Sequence, residues 1–275
     1  MAGLIDPSYY DKESRLMRRY LQLLTLLAAL AASCGLARAQ ALNAAKIDSI
    51  NKATESFLAL AKDSARTGQP PRYSDPAAKA LLDTVLMTTA IEGKPMPWPA
   101  VEWLQAWNKA TVKIGLVYYL AGTGTSDVAV VSKDPQKIQK ANSNTVAFAP
   151  EVGRYYDAQV RIHAALVDAA ATQLAAAVPE QLKDPAFRAT LNNISNDTAS
   201  MLTGLLGTFT VEGLPDDWLL LRVVAVLDIT PKAAKFMAPT DREQVRNAAA
   251  EVAERMKNPD VKSGVSTIAR AFELL

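Results

Sequence analysis

The chain has 275 residues, with 30 Lys and Arg against 28 Asp and Glu, one histidine and one cysteine. So small a net charge gives no field to hold a nucleic-acid backbone, which excludes that partner class. One thiol and one imidazole exclude a disulfide framework and the usual zinc clusters, and no cofactor motif is present.

From the N-terminus, Met17 is followed by Arg18 and Arg19 and then by an apolar run from Tyr20 to Ala32. A charged start and an apolar stretch of this length read as a secretory signal peptide over residues 17–39, too short to span a bilayer. Ala37 and Ala39 are the small residues a signal peptidase requires, so cleavage after Ala39 leaves Gln40 at the mature N-terminus. Residues 1–16 precede a complete signal and read as an over-extended start or a long polar leader. Leu30 to Cys34 loosely resembles a bacterial lipobox, and acylation of Cys34 is the alternative fate. Membrane attachment is expected only in that case. The expected compartment is the periplasm or the outside of the cell.

Residues 40–275 read as a single all-helical domain, a bundle of about eight to ten helices, because apolar residues recur at helical spacing almost throughout. In chain order, helices are expected over Leu42–Arg66, from Pro76 to about Ile91 and from Pro99 to about Leu120. Others follow over Pro150–Ala177, Pro185–Leu206, Pro215–Leu227, Pro231–Met237, Thr240–Lys257 and Pro259–Leu274. The pairs Asp75–Pro76, Asp134–Pro135 and Asp184–Pro185 are start signals, the carboxylate capping free N–H groups and the proline suiting the first turn. Asp127–Val131 is the one strand candidate, Gly122–Ser126 reads as a flexible connector, and Asn142–Ala149 reads as irregular.

At an offset of 120 residues, Leu82, Leu86, Thr88, Glu92, Gly93, Pro95 and Trp98 meet identical residue types at Leu202, Leu206, Thr208, Glu212, Gly213, Pro215 and Trp218. Glycine past a helix end with proline nearby is ordinary stop chemistry, but it does not call for the shared glutamate and tryptophan. The pattern suggests an old duplication with halves over 42–131 and 150–275.

Three groups of residues carry functional expectations. Trp98, Trp103, Trp107 and Trp218 are aromatic enough to stack on a sugar, a lipid or a peptide, although such stripes commonly form core. Glu92 and Glu212 sit at corresponding helix ends, where two carboxylates meeting across a pseudo-axis would suit a glycan hydrolase. The simpler role for each is to accept hydrogen bonds from its own turn. His163 lies between Val160 and Val167 on an apolar stripe, as a core histidine or a buried acid–base group. Asp157 and Arg161, four apart, are expected to pair. The leading reading is a non-catalytic envelope protein that binds another envelope protein or a small apolar ligand. A hydrolase using Glu92 and Glu212, and a purely structural scaffold, are the alternatives.

Overall fold

The computed structural model describes residues 43–273. The signal peptide, Ala39 and Cys34 lie outside the described residues. Contacts divide the chain at Ala45, and the unit from Lys46 onward is the helical domain discussed below. Among the described residues there are twelve helices and no strand. Nine have eleven residues or more: α1 (43–60), α3 (Pro76–Leu86), α4 (Val101–Tyr119), α6 (Pro135–Ala147), α7 (Ala149–Ala176), α9 (Pro185–Thr208), α10 (Asp216–Phe236), α11 (Pro239–Arg255) and α12 (Pro259–Glu273). Three are single turns or little more: α2 (Ser64–Thr67), α5 (Val128–Val131) and α8 (Pro179–Lys183).

All three expected Asp-Pro starts form caps. Asp75 accepts from the Ala77 N–H, Asp134 from those of Gln136 and Lys137, and Asp184 from that of Ala186, with proline opening each helix. Each cap contributes about 1 kcal/mol to its helix. The strand expected at Asp127–Val131 is instead the short helix α5, because Asp127 caps the Ala129 N–H and closes the first turn before any partner strand exists. Helix α6 also runs through the stretch expected to be irregular. Its Asn144 donates from Nδ2 to the carbonyls of Tyr119 and Ala121, pinning α6 to the end of α4. Pro231 breaks nothing. Two expected helices are one, α10, with that proline on its exposed side. The Gly122–Ser126 connector is anchored, since the N–H groups of Gly122 and Gly124 donate to the carbonyls of Ser64 and Ala65. A Cβ on Gly122 would lie 3.1 Å from the Gly68 Cα, a tight approach at a residue whose φ of 69° already favours glycine.

Helix α7 is the axis of the domain. It packs against α4, α9 and α10 and more lightly against α3 and α6. The remaining helices form an outer layer, with α11 on α9 and α12 across α10 and α11. The core is continuous from Phe57 on α1 through Leu104 and Ile114 on α4, Ile162 and Leu166 on α7, and Leu202 and Leu205 on α9, to Val265 and Ile268 on α12.

Helical glycines separate into two kinds, which makes a direct prediction. A Cβ added at Gly264 on α12 would come within 2.2 Å of Val223 on α10, so Gly264→Ala is expected to destabilise by about 1–3 kcal/mol through overpacking. At Gly204 and Gly207, in the interior of α9, an added Cβ meets nothing. Alanine at either position is expected to stabilise by about 0.5–1 kcal/mol, the ordinary helix preference over glycine. Urea unfolding of the three variants checks both signs.

Candidate functional site

The two glycines line an apolar concavity of the fold. Gly204, Gly207, Thr208 and Val211 form one wall of a pocket of about 380 Å³ where α4, α6, α7 and α9 converge. Opposite them stand Tyr119 from α4 and Tyr155 and Tyr156 from α7, with Leu116, Val152 and Val128 completing the apolar lining. Polar capacity comes from Asn142, Thr145, Thr208 and the phenols. No side chain lining it carries a charge.

Local packing explains how the tyrosines are held. A Cβ on Gly115 would lie 2.7–2.9 Å from the Tyr155 ring, so the ring lies directly on the α4 backbone in space that only glycine leaves. The Tyr155 and Tyr156 rings are 4.7 Å apart and tilted by 54°, a favourable edge-on arrangement. Burial pushes the Tyr155 phenol up to about 12. The Tyr156 phenol is raised further by burial and by its neighbours Tyr155 and Tyr119. The phenols therefore stay neutral and serve as hydrogen-bonding groups on apolar rings.

The sequence-predicted residues lie elsewhere. Trp103 and Trp107 are core residues, 2% and 3% exposed, with rings stacked 5.2 Å apart at 24°. The Trp107 Nε1–H donates to the Val85 carbonyl at the end of α3, and the Lys46 ammonium lies 4.4 Å from the centre of the Trp103 ring. Trp98 is half-buried against Phe187. Trp218 is buried; its Nε1–H donates to the Ala149 carbonyl in the first turn of α7, and the Arg222 guanidinium lies over its ring. None of the four lines the tyrosine pocket.

Glu92 and Glu212 are both exposed, and the fold does not gather them into one cleft. Glu92 pairs with Arg161 at 3.1 Å on the rim of a cleft of about 770 Å³ between α7 and α10. Glu212 lines two smaller depressions near Met256 and Pro135. The expected Asp157–Arg161 pair is replaced by two longer-range ones. Arg161 turns to Glu92, while Asp157 takes the buried Arg222 at 2.8 Å across the α7–α10 interface. Gly153 makes room for that crossing, since a Cβ there would strike both Arg222 and Trp218.

His163 is 1% exposed, with Nδ1 3.0 Å from Thr198 Oγ1. Thr198 donates its own hydroxyl proton to the Ile194 carbonyl, so the threonine oxygen accepts and the imidazole carries its proton on Nδ1. Burial pushes the imidazole down to about 4, leaving it neutral. It borders no cleft described above. Among the described residues no group of three or more His, Cys, Asp and Glu is placed to hold a metal, and no helix is long and apolar enough to cross a membrane.

No protein-family model, curated protein or solved structure matches the chain.

The pocket itself was not expected from the sequence, although Tyr119, Tyr155 and Tyr156 stand out there as aromatic neighbours. The signal that points to it is the pair Gly204 and Gly207. Two glycines three apart inside a helix cost stability, with neither a stop nor a crossing to require them.

Proposed function

We propose that this chain is an exported, non-catalytic helical binding protein of the bacterial envelope, which takes a neutral, flat ring compound into the tyrosine-lined pocket. The observation that carries the reading is the α9 wall, where two destabilising glycines leave space open opposite three aromatic rings. A charge-free lining favours an uncharged ligand, because a buried ion without a partner is costly. Stacking on the rings with a few hydrogen bonds at the edge is the usual recognition of such compounds, and the volume falls in the range of small-molecule sites. Export rests on Arg18, Arg19 and the apolar run after them, with cleavage after Ala39, or acylation at Cys34 as the alternative.

The two Glu-Gly-x-Pro-x-x-Trp strings support the duplication. Gly93 and Gly213 both take positive φ, at 65° and 93°; Trp98 opens a 3-10 turn, and Trp218 lies in the first turn of α10. The turn at Trp98 leads into α4, and α4 and α10 both pack on α7.

The test uses N-phenyl-1-naphthylamine, a neutral aromatic probe whose fluorescence rises in apolar surroundings. The wild-type chain is expected to bind it saturably. Gly204→Leu with Gly207→Leu fills the pocket while favouring helix, so binding is expected to weaken at least about tenfold, equivalent to about 1.4 kcal/mol, with helicity retained. Equal binding by both proteins would overturn the pocket. The scaffold reading is favoured by one observation, the burial of Trp103 and Trp107, and it predicts no saturable binding at all.

A further inference from the structure

The tyrosines of the fold differ in what their hydroxyls do. Five lie among the described residues. Tyr118 donates to the Pro71 carbonyl at 2.9 Å and Tyr73 to the Asp83 carboxylate, as phenols withdrawn from water ordinarily do. The other three, Tyr119, Tyr155 and Tyr156, line the pocket, and none of their hydroxyls is hydrogen-bonded to another described residue. The pocket threonines have already spent their protons. Thr208 donates to the Leu205 carbonyl at 2.6 Å and Thr145 to the Ala141 carbonyl at 3.5 Å.

A phenol gives its proton readily but accepts poorly, because the oxygen lone pair is shared with the ring. The free phenols therefore offer donors to whatever occupies the pocket, and the Asn142 amide adds another, so donors reach it from α4, α6 and α7. Resting on the pocket reading above, we infer that the ligand is a quinone, a neutral flat ring whose carbonyl oxygens accept from Tyr119, Tyr155 and Tyr156. A hydrocarbon ring would displace water from three hydroxyls and leave them unpaired, which costs free energy at each. A hydroxylated ring would bring further donors to a site already supplied with them. The quinone alone combines the absence of charge, a face for stacking and acceptors at its edges.

Isothermal titration calorimetry of the full processed chain under anaerobic conditions compares 1,4-naphthoquinone with naphthalene and with 1,4-dihydroxynaphthalene, all built on one fused ring pair. Burial of apolar surface alone favours naphthalene, the most apolar of the three. The quinone is instead expected to bind at least about tenfold more tightly than either, the effect of one or more added hydrogen bonds. Tyr155→Phe and Tyr156→Phe keep the ring and remove only the hydroxyl, so each is expected to lower the preference for quinone over naphthalene about threefold. With Tyr119→Phe added to both, the preference should vanish. Binding of N-phenyl-1-naphthylamine, which needs only the rings, is expected to stay within about twofold of wild type in every variant, with circular dichroism unchanged. Naphthalene or the diol binding as tightly as the quinone, or a preference that survives the triple change, overturns the proposal. Saturable probe binding without a preference for the quinone removes the quinone alone, whereas no saturable probe binding removes the pocket and the quinone with it.

Discussion

Replacing Trp107 by alanine is expected to lower the free energy of unfolding by about 3–5 kcal/mol, the usual cost of removing a buried indole, while leaving probe binding in the folded protein unchanged. The loss has three sources: the apolar area of a side chain 3% exposed, its stacking on Trp103, and the hydrogen bond from its Nε1–H to the Val85 carbonyl. That carbonyl belongs to the last turn of α3, where no intrahelical donor remains for it. Trp107→Phe restores much of the buried area but not the donor, so a smaller loss is expected. Chemical denaturation measures the stability, and a titration at a temperature where the variant remains folded measures the binding. A variant of wild-type stability that failed to bind would return Trp107 to the ligand site.

The second large effect is on acid stability. In the unfolded chain His163 titrates near 6.5, and in the fold burial holds it at about 4. Above pH 6.5 both states carry the neutral imidazole and the histidine makes no pH-dependent contribution. As pH falls from 6.5 toward 4 the unfolded state takes up the proton first, so stability is lost over that window and the loss levels off below it. Between pH 7 and pH 4.5 the wild-type protein is expected to lose about 2–3 kcal/mol more than His163→Gln, which retains a side-chain hydrogen-bonding group and has no charge to gain. Carboxylate titrations are common to both proteins and cancel in the difference. Parallel unfolding curves across that range would remove the buried neutral imidazole from the account.

A large part of the fold was legible before any coordinates. Period and a proline in the first turn sufficed for α7, α9, α11 and α12, whose boundaries lie within about two residues of expectation, because such starts and amphipathic spacing are local signals. The failures have local reasons too. The Val128–Val131 run resembles a strand by composition, yet the side chain of Asp127 and the lack of a neighbouring strand make it a turn of helix. Pro231 reads as a break only if its ring has nowhere to go, and on the exposed face of α10 it is accommodated.

The site was harder to read. A tryptophan in sequence is equally a core residue or a stacking platform, and burial alone decided between them for Trp103 and Trp107. Arg161 and Asp157 lie at ideal spacing to pair on α7, but longer-range partners, Glu92 and Arg222, took both.

By itself the sequence determined that the domain is helical, where most helices begin, and that its charges nearly balance, since these follow from neighbours within a turn or two and from composition. Only the tertiary structure decided which aromatics face a cavity and which glycines leave it open. Such facts depend on what α4, α6 and α7 bring to the wall of α9, from residues up to about ninety positions away, and no local pattern encodes the shape left between them.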